Sequence, residues 1–414
     1  MNDCFSAPGL TPLDQALEEL LAGLKPITET ELIGIDEALG RVIAEPVSST
    51  LNIPPADNSA MDGYAIRGCD GARGATLTRV GKSFAGHPFS GQMGAGECVR
   101  IMTGAEIPTG ADAVIMQEQV TVNETNNALV TLQREVRSGS HVRHAGEDIA
   151  VGQTVFEPGR KLRAADIGLL SSLGLAKVRV VRRIRVAVLS TGDELKKPGE
   201  TLAAGQFYES NGYTISAVLH KLNAEITNFG ILPDDLETLR SAFRQANEVA
   251  DVVITSGGVS VGEADYVKDV LDELGEIAFW KLAIKPGKPF AFGFLPDSVF
   301  IGLPGNPVSA LVTLHQLAVP MLNKISGQKS HAPLRLAATA GCAINKSPGR
   351  TDFQRGIYST DQQGNVTVVT TGSQGSGMLT SMNLANCYII LEQQRGSVEV
   401  GERVIVEPFD HIVS

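Results

Sequence analysis

The chain has 414 residues, of which 43% are hydrophobic, 20% charged and 5% aromatic, so we expect a globular protein with several domains. Its net charge of -11 and its pI near 5.2 argue against a binder of duplex nucleic acid, because no basic stripe offsets the repulsion. The five cysteines are scattered and have no CxxC spacing, which argues against a disulfide framework or a zinc knuckle. No signal peptide or membrane-spanning apolar stretch is recognisable, so we expect a cytoplasmic protein without a membrane partner.

The first part of the chain predicts a short helical segment followed by a β-rich insertion. Residues Thr11 to Leu24 have apolar residues at helical spacing, with Thr11 as the cap and Pro12 at the first helical position. A short helix is predicted at Ile35 to Leu39. From Leu51 to about Asp148 the sequence changes to glycine, proline and short β-prone runs, which predict an all-β domain.

Mixed structure returns after this insertion, with a helix predicted at Ala164 to Leu173. We therefore expect residues 1–50 and 147–182 to form a discontinuous first domain, with a β-rich domain of residues 51–146 inserted into it. Residues 183–330 alternate strands and helices, which predicts a three-layer α/β domain with a mostly parallel sheet. Short strands and turns from residue 331 to residue 414 predict a small C-terminal β-barrel.

Three turns in the α/β region each follow a short apolar strand, and we expect them to meet at the carboxyl edge of one sheet, where such sheets bind ligands. They are STGDEL at residues 190–195, TSGGVSVGEADY at residues 255–266 and LPGNPVSA at residues 303–310. Each turn also precedes a segment that is predicted to be helical. Glycines let backbone amides approach an anion, and a helix start adds a positive dipole, so this edge suggests phosphate chemistry.

The carboxylates of these turns are hard oxygen ligands suited to a divalent cation. They are Asp193, Glu194, Glu263 and Asp265. Asp193 and Thr191 are equally suited to capping a helix or turn, whereas Glu194 is harder to explain in that way. The glycine-rich turn is not a Walker loop, because no GK[ST] follows it.

A proline-restricted segment, KLAIKPGKPFAFG, spaces Lys281, Lys285 and Lys288 close to this edge. Lysines are usually solvated, but fixed cations beside a phosphate loop would stabilise a transferring oxyanion. The histidines are few and dispersed, so no Ser-His-Asp or Cys-His arrangement is recognisable and covalent catalysis is disfavoured.

The β-rich region has three further polar strings whose meaning is open from the residues alone. DNSAMDGYA, residues 57–65, forms either a self-capping turn or a site at which Asp57 or Asp62 faces another domain or subunit. Arg100, Thr103 and Gly104 suit the closure of a hairpin as well as an oxyanion site, and a hairpin is favoured. GEDI at residues 146–149 is most simply a solvated charge cluster.

Taken in order, these strings closely resemble the molybdopterin molybdenumtransferases of molybdenum cofactor biosynthesis, the MoeA family that includes the E domain of gephyrin. DNSAMDGYA, IMTGA, GEDI, STGDEL, TSGGVSVGEADY, KLAIKPGKP, LPGNPVSA and FQRG recur across essentially the whole chain. The resemblance implies a MogA-like central domain and an elongated homodimer whose cleft lies between that domain and the partner's β-rich domain. It also implies that adenylylated molybdopterin and molybdate give molybdenum cofactor and AMP, with Mg²⁺ required.

The same resemblance implies roles for individual residues. The catalytic group implied is Asp62, Thr103, Asp148, Glu194, Lys281 and Lys285, with Asp234 and Asp265 as ligands of Mg²⁺. The implied substrate-binding residues of the α/β domain are Ser256, Gly257, Gly258, Ser260, Gly262, Lys288, Pro304, Gly305, Asn306 and Pro307. Those implied in the last domain are Arg350, Arg355 and Ser376. The glycine loop would bind the pterin phosphates, and the cations would bind molybdate.

Two positions depart from the family pattern. Ala56 stands where an aromatic residue is common, and YESN at residues 208–211 replaces the usual YDTN, so the role of Glu209 is open. Alternative functions are a molybdopterin adenylyltransferase, a nucleotide pyrophosphatase, or a scaffold that binds a partner's peptide. The first two would need neither DNSAMDGYA nor the C-terminal barrel. Other proteins of cofactor biosynthesis and recipient molybdoenzymes are the expected protein partners.

Overall fold

The computed structural model describes residues 9–258, 266–329, 332–410 and 413. Helix α1 (Leu13–Ala22) begins one residue later than predicted, and Pro12 takes the cap position. Thr11 does not cap this helix, because its N–H donates to Lys281 O at 2.8 Å and its carbonyl accepts from Ala283 N at 2.8 Å. The apolar face of α1 packs into the core of the central α/β domain through Ala16 and Leu20.

Two strands precede the insertion, β1 (Thr30–Gly34) and β2 (Val47–Ser48). The short helix predicted at Ile35 to Leu39 is a single 3-10 turn at Ile35–Glu37. Both strands find their partners only after the insertion has ended, as described below.

The inserted domain contains the next eight strands. They are β3 (Asn58–Ser59), β4 (Gly63–Ile66), β5 (Thr76–Ser83), β6 (Glu97–Ile101), β7 (Ala113–Met116), β8 (Val120–Val122), β9 (Leu129–Leu132) and β10 (Val142–Arg143). Six of them form one mixed sheet in the order β7-β4-β6-β5-β9-β8, and β3 pairs with β10. Alternate side chains of β4 enter two apolar clusters, Tyr64 and Ile66 in one and Ala65 in the other, so both faces of the sheet are covered there.

The chain then returns to the first domain through β11 (Thr154–Phe156), α2 (Ala164–Ser172) and β12 (Lys177–Val181). Strand β12 pairs antiparallel with β1, and β11 pairs with β2. Ile43, Phe156, Leu170 and Val180 share one buried cluster across this junction. Segments on the two sides of the insertion therefore form one packed unit.

The central region alternates strands and helices. Its strands are β13 (Arg185–Thr191), β14 (Leu195–Lys196), β15 (Phe207–Tyr208), β16 (Glu225–Leu232), β17 (Val252–Ser256), β18 (Glu276–Lys281), β19 (Ile284–Lys285), β20 (Pro289–Phe294) and β21 (Val299–Leu303). Its helices are α3 (Asn211–Lys221), α4 (Leu236–Val249), α5 (Tyr266–Leu274), α6 (Pro307–Thr313) and α7 (Val319–Ile325). A π-helical turn at Leu314–Ala318 joins α6 to α7.

Six of these strands form a sheet in the order β16-β13-β17-β21-β20-β18, in which the first four are mutually parallel. The remaining pairings, β21 with β20 and β20 with β18, are antiparallel. Helices α3, α6 and α7 contribute to the apolar cluster on one face, and α4 and α5 contribute to the cluster on the other. The predicted three-layer α/β domain is confirmed.

The last region has β22 (Leu336–Ala340), β23 (Thr351–Thr360), β24 (Val366–Thr370), α8 (Leu379–Leu384), β25 (Cys387–Leu391) and β26 (Arg403–Pro408). The pairing runs β23-β24-β22-β26-β25 and returns to β23, which closes a five-stranded barrel and confirms the predicted C-terminal β-barrel. Strand β19 of the central domain pairs in parallel with β23, so the two domains share backbone hydrogen bonds. Among the described helices, none has the length and apolar character needed to cross a membrane.

Candidate active site

The parallel strands β13, β17 and β21 end side by side, and a cavity of about 620 Å³ opens at their carboxyl edge. Residues from all three predicted turns line it. They include Thr191, Glu194, Ser256, Gly257, Gly258, Pro304, Gly305, Asn306 and Pro307. Strand β13 leads into STGDEL, and the short pair β14–β15 follows before helix α3 begins, so this turn does not lead directly into a helix.

Gly257 and Gly258 form the described part of the glycine-rich loop. Their φ angles are +93° and +66°, values that favour glycine. A Cβ on Gly257 would lie 2.8 Å from Thr191 O, and one on Gly258 would lie 2.4 Å from a methyl carbon of Val267. The close packing of this loop against its neighbours therefore leaves no room for a side chain at either position. The predicted residues Ser260, Gly262, Glu263 and Asp265 lie outside the described residues.

Asn211 joins two of the turns, although the sequence did not single it out as a site residue. Its Nδ2 donates to Ser256 Oγ at 2.7 Å and to Gly305 O at 2.8 Å. It occupies the first position of α3, so the helix start fixes its side chain beside both turns. A polar residue at a helix start that follows a short strand was the available signal.

Glu209 is buried under the same edge, with 7% of its surface exposed. Its Oε1 accepts from Gly212 N at 2.6 Å and from Ser190 Oγ at 3.2 Å. The carboxylate thus satisfies a backbone donor in the first turn of α3 and ties it to the end of β13. This is the position at which the chain departs from the usual YDTN pattern.

Asp193 and Glu194 lie near enough to Asp234 to act on its charge, and of these three carboxylates Glu194 lines the cavity. Asp234 N donates to Asp193 Oδ1 at 3.2 Å. Partial burial raises the pKa of Asp234, and the negative charges of Asp193 and Glu194 raise it further. Among the described residues, no group of three or more His, Cys, Asp or Glu side chains has an arrangement that would hold a metal ion by itself.

The three predicted lysines lie exposed around β18 and β19. Lys285 Nζ lies 3.4 Å from Asp352 of β23, and Leu282 N donates to Lys288 O at 2.8 Å, which closes the turn that carries all three lysines. Arg350 Nη1 donates weakly to Ile284 O at 3.4 Å. These cations therefore lie where the central domain meets the barrel.

Arg355 is fully buried in the barrel, with 0% of its surface exposed. Its Nε donates to Ser381 Oγ at 3.1 Å, its Nη1 to Phe353 O at 3.1 Å and its Nη2 to Gly375 O at 3.4 Å. Burial lowers its pKa, and the charge of Asp352 partly opposes that effect. The guanidinium thus holds the loop that precedes α8.

Ser376 lies in that loop, and its carbonyl accepts from Val308 N at 3.0 Å at the start of α6. The neighbouring Gly377 lines the cavity. The C-terminal region therefore reaches the site through Gly377, next to the LPGNP turn.

Asp62, Thr103 and Asp148 lie in the inserted domain and beside it, and all three are exposed. Asp62 Oδ1 accepts from Thr103 N and from Thr103 Oγ1, both at 2.7 Å, and these bonds lower the pKa of Asp62. Asp148 N donates to Ile53 O at 3.0 Å. None of the three lines the cavity at the sheet edge in this single chain.

Comparison with known proteins agrees with this architecture. The MoeA N-terminal region (domain I and II) matches residues 11–174, the probable molybdopterin binding domain matches residues 187–324, and the MoeA C-terminal region (domain IV) matches residues 337–409.

Similarity extends over the whole chain. A molybdopterin molybdenumtransferase of Haemophilus influenzae is 48% identical over 97% of this chain and 99% of its own length. Gephyrin of Dictyostelium discoideum is 32% identical over 96% of this chain and 62% of its own length. The crystal structure of the molybdopterin biosynthesis moeA protein from Pyrococcus horikoshii OT3 matches with a TM-score of 0.82 and 29% identity, covering 97% of this chain and 100% of that one. The chain therefore belongs to the MoeA family of molybdopterin molybdenumtransferases.

Proposed function

We propose that this protein inserts molybdenum during molybdenum cofactor biosynthesis, converting adenylylated molybdopterin and molybdate into molybdenum cofactor and AMP. One observation carries the proposal: three turns at the carboxyl edge of the parallel strands enclose a single cavity that presents backbone amides, carboxylates and an aromatic wall. This combination suits a substrate with a flat ring and a phosphoanhydride whose charge is shared with a bound divalent cation.

The phosphates of the substrate would lie against the glycine loop and the start of α6. Gly257 and Gly258 expose backbone without a side chain, and Asn306 precedes the first turn of α6. The helix continues through the π turn to Ile325, so its positive end faces the same cavity. These groups would bind and orient the phosphates.

The ring of the substrate would lie along the opposite wall. Phe207 and Tyr208 line the cavity with 55% and 45% of their surface exposed. Tyr208 Oη donates to Glu200 O at 2.8 Å, which fixes its ring. Exposed aromatic faces beside a polar cavity suit stacking against a pterin.

The acidic group formed by Asp193, Glu194 and Asp234 would hold Mg²⁺, together with Asp265. The raised pKa of Asp234 supports this assignment, because a cation would relieve the repulsion between these carboxylates. The described residues alone do not complete a metal site, so Asp265 or oxygens of the substrate must supply the remaining ligands. A bound Mg²⁺ would neutralise charge that develops on the phosphoanhydride.

Molybdate would be bound by cations at the junction of the central domain and the barrel, namely the exposed Lys281, Lys285 and Lys288 and the half-buried Arg350. Lys285 is held by Asp352, which positions its ammonium while leaving 47% of the side chain exposed. Arg355 would act through the loop at Gly375 and Ser376, since its donors are bound to protein acceptors.

The site would be completed by a second copy of the chain in a homodimer. Asp62 and Thr103 form an exposed, hydrogen-bonded pair that does not line the cavity of its own chain. The pair and Asp148 would enter the partner's cleft, where Asp62 would orient a ligand oxygen as an ionised carboxylate, since the bonds from Thr103 lower its pKa. The protein would act in the cytoplasm.

The experiment is to incubate the purified protein with adenylylated molybdopterin, with and without molybdate and Mg²⁺, and to measure molybdenum cofactor formed. We expect product only when both are present. Asp265→Ala should lower product formation by about 100-fold, as expected when metal binding is lost. Asp272→Ala, on the exposed side of α5, is the control and should retain wild-type activity. Product formation without molybdate, or by Asp265→Ala at the wild-type rate, would refute the proposal.

A further inference from the structure

A second cavity, of about 670 Å³, lies between the first domain and the central domain. Its walls are formed by Leu39 and Gly40, residues 159–164, and residues 220–223 with Gln328. Asn223 Nδ2 donates to Leu39 O at 2.8 Å, and Lys329 N donates to Gly159 O at 2.9 Å, so hydrogen bonds join the two domains at its rim. No residue that lines it also lines the cavity at the sheet edge.

The cavity is strongly basic, although the protein as a whole has a net charge of -11. Arg160, Lys161, Arg163 and Lys221 all line it. Asp166 is the carboxylate that pairs with both arginines, at 2.8 Å from Arg160 Nη2 and 3.5 Å from Arg163 Nε. Positive charge is therefore concentrated in one concave region, where its field acts on an anion more strongly than on a flat surface.

Lys161 is the central feature of this cavity. Its side chain is partly buried, and burial lowers its pKa even though the charge of Asp410 acts in the opposite direction. Within the described parts of the chain, no hydrogen bond or ion pair holds its ammonium group. Partial burial of a cation without a direct partner costs free energy, and a bound anion would recover it.

The rest of the cavity is suited to the body of an organic molecule. Leu39 is 58% exposed and lies at the edge of the cavity, and Leu162 forms part of its wall. A ligand with an apolar or aromatic body and a phosphate group would cover the exposed Leu39 while its charge meets Lys161 and the arginines. Arg160 is already oriented by its bidentate pairing with Asp166, so little side-chain freedom is lost on binding.

We propose that this cavity is a second binding site, separate from the catalytic cleft, for an organic phosphate such as a nucleotide. Its occupant would bridge the first and central domains, because its phosphate would contact basic groups of both. The proposal does not depend on the reaction assigned to the sheet edge.

The test is affinity labelling of the full-length protein with pyridoxal 5′-phosphate. Its aldehyde condenses with a lysine amine to an imine with loss of water, and borohydride then reduces the imine to a stable amine. Peptide mapping reports which lysine was modified. We expect Lys161 to be labelled about tenfold faster than the exposed Lys177 of β12, because binding energy of about 1.4 kcal/mol suffices for that ratio.

Competitors and variants separate a real site from a reactive lysine. AMP and ATP should protect Lys161 at concentrations at which sodium chloride of equal ionic strength does not, and inorganic phosphate should protect more weakly than AMP. Arg163→Gln, whose side chain is 70% exposed in the native protein, should reduce labelling of Lys161, whereas Lys177→Gln should not. Equal labelling of Lys161 and Lys177, or protection by sodium chloride alone, would overturn the site. Equal protection by phosphate and AMP would show that the cavity does not recognise the organic part of the ligand.

Discussion

Asp234 shows how single side chains create the chemistry of this site. Its backbone amide binds Asp193, and its carboxylate lies within the electrostatic influence of Asp193 and Glu194. Repulsion between neighbouring carboxylates lowers the stability of the fold. Cation sites commonly have such repulsion before the cation binds.

The first prediction concerns Asp234→Asn. The folded-state pKa of Asp234 is raised above its ordinary value of 3.8. The folded protein therefore holds this proton more tightly than the unfolded chain does, and stability falls as the pH rises through that interval. At pH 7 the variant should be at least as stable as the wild type to thermal unfolding, and any gain should vanish below pH 3.8. Added Mg²⁺ should raise the melting temperature of the wild type more than that of the variant; an equal rise in both would contradict the assignment.

The second prediction concerns Arg355→Met. Removal of the guanidinium leaves the carbonyls of Phe353 and Gly375 without these donors inside the barrel. The free energy of unfolding, measured in urea, should fall by on the order of 3 kcal/mol. Arg350→Met is the control, because its contact with Ile284 O is long and its side chain is only half-buried. A fully stable Arg355→Met variant with impaired molybdate use would show that the residue acts on substrate directly.

Residue types and spacing predicted part of this site. Glu194, Ser256, Gly257 and Gly305 were predicted from their turns, and all of them line the cavity. Asn211 and Glu209 were not predicted as site residues, because a polar residue near a helix start has many possible partners. Their identification required the distances to Ser256, Gly305 and Gly212.

At the scale of elements, strand hydrophobicity and turn composition were strong local signals. The alternation predicted for residues 183–330 is observed, for example in strand β16 (Glu225–Leu232) followed by helix α4 (Leu236–Val249). The Thr11 cap was wrong because a distant segment, residues 281–283, competes for its backbone groups. The parallel pairing of β22 with β24 was likewise not predictable from local pattern, since it joins residues that are far apart in the sequence.

The third prediction concerns the start of strand β13, where Asp251 binds two arginines. Burial of Asp251 opposes its ionisation, but hydrogen bonds from Arg182 at 2.7 Å and from Arg185 at 3.0 Å outweigh that effect and lower its pKa to about 2. Its stabilising contribution is therefore present above the ordinary value of 3.8 and is lost as the pH falls toward about 2. Asp251→Asn should cost on the order of 2 kcal/mol at pH 7.

Chemical denaturation of both proteins at pH 7 and at pH 3 measures this contribution. The difference between wild type and Asp251→Asn should be smaller at the lower pH. If the stability difference between wild type and Asp251→Asn does not change with pH, the loss comes from altered packing at this site and not from the lost charge. Asp272→Asn, on exposed α5, should leave stability unchanged at both pH values.

The fourth prediction concerns the glycine loop as an element. Gly258→Ala places a Cβ 2.4 Å from a Val267 methyl carbon at a φ of +66°, so the loop must move. Gly152→Ala is a matched control, with a φ of +83° and no atom within 4 Å of the added carbon. Both variants should lose about 1 kcal/mol through backbone strain. Only Gly258→Ala should also weaken binding of adenylylated molybdopterin, as measured by calorimetry; equal binding by both variants would contradict the proposed role of the loop.

The described chain folds into four packed regions that are joined by strand pairing and shared apolar contacts. The first domain is formed by segments from both sides of the inserted sheet, and the barrel joins the central domain through β19 and β23. The order of motifs along the chain predicted this architecture through family resemblance. The limits of the individual domains remain a prediction, and α1 shows why: the sequence assigned it to the first domain, but its apolar face enters the core of the central domain.

We propose that the sheet-edge cavity of one subunit and the Asp62 region of another together insert molybdenum. AMP release from adenylylated molybdopterin should be measured with wild type, Asp62→Ala, Asp234→Ala and an equimolar, re-assembled mixture of the two variants. We expect molybdate-dependent release by the wild type and almost none by either variant. The mixture should recover about one quarter of wild-type activity, since half of the dimers carry one intact site. Release without molybdate, or a mixture as inactive as its components, would contradict it.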